Sequence, residues 1–235
     1  MTDNNPIAEN LKKVHGQIEA AAIACSRSPN DIQLLAVSKT KPVSDIMLAY
    51  DAGHRNFGEN YVQEGVDKIQ QLKQYSDILW HFIGPIQSNK SKLVAENFDW
   101  VHSVDRFKIA KRLNDQRPEA SSPLQICIQV NIDNDPNKSG VPPKEVSELI
   151  RQIEKLPNLK IRGLMTIPKA EQSDTELKDS FSHMQDLFIQ CQQNCSTIDT
   201  LSMGMTQDLA LAISQGSTMV RVGTAIFGVR NKAQH

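Results

Sequence analysis

Apolar residues fall into two alternating rhythms along this chain. Ile7, Leu11, Val14, Ile18, Ala21 or Ala22, and Cys25 recur at steps of three and four, the period of a helix with one buried face. The Ser-Arg-Ser-Pro-Asn stretch that follows ends this helix, because Pro29 lacks the amide that a further turn needs. Eight short apolar segments come next, at 32–38, 56–58, 79–84, 100–104, 124–131, 161–167, 200–203 and 219–223, and their lengths predict strands. Helical patterns lie between them. One is capped by Asp105 and carries Phe107, Ala110 and Leu113. A second carries Val146, Leu149, Ile150, Ile153 and Leu156, and a third Leu177, Phe181, Met184, Leu187, Phe188 and Cys191.

Strand alternating with helix implies parallel strands joined by helical crossovers. Eight such units in 235 residues fit an α/β fold, a single (β/α)8 TIM barrel with an extra N-terminal helix, whose usual size is about 250 residues. The alternative is an open, doubly wound sheet. Leu124, Ile126, Ile128 and Val130 alternate with Gln125, Cys127, Gln129 and Asn131. A central strand of an open parallel sheet is apolar on both faces, so this alternation favours the barrel, although an edge strand would also alternate. No linker or repeat interrupts the pattern. The expectation is one domain over 1–235, with disordered tails at 1–6 and 231–235.

Composition narrows the class without naming a chemistry. With 26 Lys+Arg against 27 Asp+Glu the net charge is −1, which argues against a general nucleic-acid binder. Four cysteines do not make a disulfide framework. Cys191 and Cys195 stand four apart in a helical pattern with no second Cys/His pair at ligand spacing, so reduced thiols are expected and no metal. No apolar run approaches the roughly 18 residues of a membrane span, and the polar N-terminus is unlike a signal peptide. A cytoplasmic protein is expected.

In a barrel the chemistry sits where strands end. Lys39 directly follows the first apolar segment. Desolvation there would lower its pKa and free the amine for Schiff-base formation with a carbonyl; the alternative is a lysine that reaches back to solvent. Ser202-Met203-Gly204 and Gly223-Thr224 each precede a short helical pattern. Glycine permits close backbone approach, and the loops after strands seven and eight are the usual phosphate place of this fold, although ordinary turns also use glycine. An amine and a phosphate loop on one axis suggest a phosphorylated aldehyde. Pyridoxal 5′-phosphate is the common cofactor that is both.

Seven motifs then carry a resemblance. They are Ala36–Pro42 (AVSKTKP), Phe57–Glu64 (FGENYVQE), Trp80–Lys90 (WHFIGPIQSNK), Asn137–Gly140 (NKSG), Arg162–Pro168 (RGLMTIP), Leu201–Met205 (LSMGM) and Val220–Gly228 (VRVGTAIFG). In order and spacing, from about residue 7 to 230, the chain resembles the YggS/PROSC-type pyridoxal phosphate homeostasis proteins. That resemblance implies a barrel similar to the N-terminal domain of alanine racemase, with pyridoxal 5′-phosphate held as a Schiff base on Lys39. It places Arg221 against the pyridine nitrogen and the phosphate against Ser202, Gly204, Gly223 and Thr224. Asn60 would lie near the lysine and cofactor, with His81 and Met203 as ring neighbours; His81 could equally be a satisfied core histidine.

Alanine racemases carry a second, β-rich domain that brings a tyrosine from a partner subunit. Here the sequence ends about a dozen residues after the eighth strand, so that domain is expected to be missing. Of Tyr50, Tyr61 and Tyr75, Tyr61 alone falls near a strand end, and no second base faces Lys39 as a two-base racemase requires. The expectation is a monomeric carrier or buffer in vitamin B6 homeostasis, not an enzyme, handing the cofactor to apo forms of enzymes that use it. The alternative is an amino-acid racemase or lyase. Lys41, Lys90 and Lys138 near the mouth are either solvated charges or transient partners of the cofactor.

Overall fold

The computed structural model describes residues 5–229. Helix α1 (Pro6–Ala24) begins at Asn5, whose side chain accepts the Ala8 amide at 3.0 Å, while Pro6 supplies a helical φ where no amide is needed. Asn5 also donates to the Leu48 carbonyl at 2.9 Å. The expected disordered tails therefore need one correction. They lie outside the described residues except for Asn5 and Pro6, which the cap and the first turn hold in place. As the spacing predicts, α1 buries Ile7, Leu11, Val14, Ile18 and Ala22.

Strands and helices then alternate. The first half contains β1 (Gln33–Val37), α2 (Val43–Asp51), β2 (Asn56–Glu59), α3 (Val62–Gln71), β3 (Leu79–Phe82), α4 (Ser91–Asn97), β4 (Trp100–Val104) and α5 (Phe107–Gln116). The second contains β5 (Leu124–Gln129), α6 (Val146–Ile153), β6 (Leu159–Met165), α7 (Asp174–Asn194), β7 (Thr200–Ser202), α8 (Leu209–Ser214), β8 (Met219–Val222) and α9 (Thr224–Phe227). Neighbouring strands are parallel and β8 pairs with β1, so the sheet closes and the open-sheet alternative is excluded. Helix α1 packs on α2, α8 and α9, covering the seam where the last strand meets the first.

Two local expectations change. The N-cap of α5 is Arg106, not Asp105, because the Asp105 carboxylate pairs with the Arg106 guanidinium at 2.5 Å instead of turning to the helix amides. Strand β6 begins at Leu159, two residues early, since Leu159 is already paired with Leu124.

Side chains sort by strand parity. Leu34, Ala36, Phe82, Val101, Ile126, Ile128, Leu164, Leu201, Val220 and Val222 join the helices in the main apolar cluster. Trp100, Cys127 and Met165 form a separate small cluster inside the barrel. Register shifts between β4 and β5 and between β5 and β6 mark bulges, which re-aim the residues beside them. Arg162, at the second shift, lies with its guanidinium 4.7 Å from the Trp100 ring centroid. The interior thus includes polar and aromatic side chains beside aliphatic ones such as Leu35.

Candidate functional site

The end of β1 is clamped from beneath. The buried Lys68 ammonium donates to the Ser38 carbonyl at 2.8 Å, to Glu59 Oε1 at 2.8 Å and to Glu64 Oε1 at 2.6 Å. The Ser38 hydroxyl donates to the same Glu59 oxygen at 2.6 Å, and the Thr40 amide donates to Glu64 at 2.6 Å. Half-buried Lys39 sits between these two anchored residues, with Thr40 in the left-handed region at φ 63°. Burial raises the Glu59 carboxyl above its ordinary range even though Lys68 and Ser38 pull it down, and Glu59 Oε2 has no hydrogen-bond partner among the described residues.

Across the seam lies β8. Val222 pairs with Ala36, and a Cβ on Gly223 would lie 3.2 Å from the Val37 carbonyl oxygen. A side chain there would push the two strand ends apart by a few tenths of an ångström, so glycine favours this close approach. Gly204 follows β7 at φ 95°, where a Cβ would meet that of Ala212 at 2.5 Å. Its carbonyl accepts the Arg221 amide at 3.0 Å. Lys39's turn, Ser202, Gly204, Arg221, Gly223 and Thr224 therefore meet at one end of the barrel, at strand ends that the sequence reading singled out.

Arg221 is 5% exposed. Its Nη1 donates to Ser202 Oγ at 2.7 Å and its Nη2 to the Thr166 carbonyl at 2.9 Å. Neither acceptor is charged, and none of the described ion pairs includes Arg221. Burial pushes this guanidinium down to about 10, against a partial opposing pull from Asp208.

Two histidines continue inward. His102 Nδ1 is 3.1 Å from Ser202 Oγ, His102 Nε2 is 2.9 Å from His81 Nδ1, and His81 Nε2 is 3.2 Å from Asn56 Oδ1. His81 also stacks on Trp100, with centroids 5.3 Å apart and planes at 15°. Burial holds His81 down at about 3 and His102 well below the ordinary histidine range, so both rings are neutral.

A family model described as the alanine racemase N-terminal domain matches residues 10–231. The pyridoxal phosphate homeostasis protein of Escherichia coli strain K12 is 53% identical over 229 residues, covering 97% of this chain and 98% of that protein. The chain belongs to the pyridoxal phosphate homeostasis protein family. PipY of Synechococcus elongatus PCC7942, solved with PLP bound, superposes with a TM-score of 0.82 at 37% identity over 94% of this chain and 100% of its own. Alanine racemase from Corynebacterium glutamicum shares the fold alone, at a TM-score of 0.67 and 14% identity over 98% of this chain and 62% of its own.

Not every family-based residue is drawn to the mouth. Met203 is fully buried in the main apolar cluster. His81 has both ring nitrogens engaged, as a satisfied interior histidine does. Asn60 follows β2, and its buried Oδ1 has no hydrogen-bond partner among the described residues. It borders a cleft of about 550 Å³ shared with Tyr61, Pro85, Gln87 and Lys90. Lys41 donates to the carbonyls of Phe227 and Val229 at 2.7 and 2.9 Å, and Lys138 donates to those of Ile167 and Pro168. These two lysines brace loops.

The sequence reading gave no role to Glu59 and Glu64, which it quoted in a motif, and did not single out His102 or Lys68. The signal for His102 was a polar residue inside an apolar strand, sharing parity with Trp100; for Lys68 it was the i,i+4 pair with Glu64, which resembles a solvated helix face.

Proposed function

We propose that the chain is a monomeric, cytoplasmic protein that binds pyridoxal 5′-phosphate at the barrel mouth, covalently through Lys39, and acts in vitamin B6 homeostasis as a carrier or buffer rather than by turnover. The observation that carries the reading is Arg221. A buried guanidinium that gives hydrogen bonds only to two neutral acceptors is costly, and a bound ligand whose acceptor, such as an unprotonated ring nitrogen, takes its remaining N–H donors lowers that cost. The glycine approaches at Gly204 and Gly223 suit a phosphorylated ligand that needs room for main-chain contacts, and Asn60 Oδ1, an acceptor without a partner among the described residues, suits a hydrogen-bond donor brought by the ligand or by the lysine that holds it.

When bound, the cofactor supplies an electrophilic aldehyde carbon and an aromatic ring that can delocalise negative charge. Lys39 is the amine that takes the aldehyde, forming a C=N bond with loss of water. Arg221 only donates hydrogen bonds, so a ring nitrogen facing it stays unprotonated and delocalises charge less well. Gly204, Gly223 and Thr224 offer main chain to the phosphate, with Asn60 beside the lysine.

The same residues disfavour racemisation. The Tyr50 hydroxyl is bonded to Asp77 at 2.8 Å and its ring packs on Tyr75 at 4.9 Å, which leaves Tyr61, 50% exposed, as the tyrosine beside a strand end. Borohydride treatment of loaded protein followed by peptide mass spectrometry is expected to label Lys39, and Lys39→Ala to remove the label. A colourless protein without a Lys39 adduct would overturn the assignment. Deuterium entering the α-position of an amino acid would favour the racemase or lyase. Reactivation of apo-enzymes by loaded protein, without such exchange, is the expected outcome.

A further inference from the structure

Five side chains from five strands form one unbranched hydrogen-bond chain across the barrel: Arg221, Ser202, His102, His81 and Asn56. Its direction follows from chemistry. A guanidinium has donors and no acceptor, so Ser202 Oγ accepts from Arg221. The remaining partner of that hydroxyl among the described residues is His102 Nδ1, so the Ser202 hydrogen goes there and Nδ1 carries none. A neutral imidazole with a bare Nδ1 holds its hydrogen on Nε2, which His102 donates to His81 Nδ1. His81 repeats the pattern and donates Nε2–H to Asn56 Oδ1. Running the chain the other way would leave the buried Ser202 hydrogen without an acceptor, and such a loss is costly in a buried site.

We infer that His102 and His81 are positioning residues, both Nε2–H tautomers, which hold the Ser202 hydroxyl as an acceptor for Arg221 and so fix the guanidinium for its ligand. The assignment of that ligand rests on the proposed function; the chain itself belongs to the protein without ligand. One consequence concerns the phosphate. With its hydrogen engaged by His102, the Ser202 hydroxyl has none to give to an anion, and phosphate contacts fall to the Gly204, Gly223 and Thr224 segments.

The test has two arms. In cofactor-free protein labelled with ¹⁵N-histidine, nitrogen–proton correlation spectra at neutral pH are expected to show bare Nδ1 and protonated Nε2 on both rings. A proton on Nδ1 of either ring would overturn the direction. In the second arm, His102→Asn keeps an acceptor near the Nδ1 position and His102→Phe removes it. The Kd for pyridoxal 5′-phosphate is expected to rise about tenfold or more in His102→Phe, the effect of one lost hydrogen bond, and to stay near that of the parent in His102→Asn. Equal affinity in all three proteins would overturn the positioning role. If the parent protein itself fails to bind the cofactor, the proposed function falls, while the tautomer spectra, recorded without ligand, still decide the chain.

Discussion

Lys68 Nζ donates to the main-chain carbonyl of Ser38 at 2.8 Å, one residue before Lys39. The same ammonium pairs with the fully buried Glu59 and with Glu64, so a charged group on α3 fixes the exit of β1. Removing one partner of a buried ion pair costs about 3–5 kcal/mol, because the other charge is left uncompensated. Lys68→Met is therefore expected to lower urea-unfolding stability by that order and to weaken cofactor retention. Lys68→Met combined with Glu59→Leu is expected to recover much of the stability. Equal stability in Lys68→Met and the parent would rule out the clamp.

Acid should weaken the fold through its histidines. Burial lowers His54 to about 4, His81 to about 3 and His102 well below 6.5, whereas unfolded histidines titrate near 6.5. The unfolded chain thus binds more protons below that value. Stability is complete above about pH 6.5 and is lost as pH falls toward 4, by on the order of 1 kcal/mol per histidine per pH unit. Glu59 and Asp99, raised by burial, take up protons more readily when folded and oppose the trend in acid. Thermal midpoints from neutral pH to about 5 should fall steeply, and His102→Asn should flatten the slope by about one proton. A flat profile in the parent would contradict neutral buried rings.

Arg221→Met separates binding from folding. The substitution removes a buried, uncompensated charge and two hydrogen bonds, effects of opposite sign. Cofactor-free stability is expected to stay within about 1 kcal/mol of the parent, while pyridoxal 5′-phosphate affinity drops at least about tenfold. Calorimetry and absorbance titration measure the two; a large stability loss with intact binding would reverse the assignment.

Gly84→Ala probes Asn60 indirectly. A Cβ at position 84 would stand 2.1 Å from the Asn60 carbonyl oxygen, a main-chain atom that cannot rotate away. The β2 exit must shift, so both stability and cofactor affinity are expected to fall, the former by about 2 kcal/mol or more. Unchanged melting and binding would mean that the loops absorb the atom.

The barrel was legible because each strand is a short apolar run bounded by polar residues, and because 124–131 alternate as a strand lining a polar interior should. The positions of Lys39, Arg221, Gly204 and Gly223 at or beside strand ends were legible from the spacing of the apolar runs. The clamp and the histidine chain were hidden for a physical reason: their members are far apart in sequence and meet only when the sheet closes. Glu59 joins β2 to Lys68 of α3, and His102 of β4 meets Ser202 of β7 across the barrel. A charged helix residue such as Lys68 has the same composition signal whether it faces water or a buried carboxylate.

The β8–β1 seam under α1 also has a consequence for synthesis. Lys39 follows the first strand and the Gly223–Thr224 segment the last, so the end of the barrel where they meet is not assembled until the eighth strand has been synthesised and has paired with the first. A nascent fragment carrying Lys39 lacks Arg221 and the glycine loops beside it. Under the proposed function, capture of a reactive aldehyde is thereby deferred until the barrel has closed.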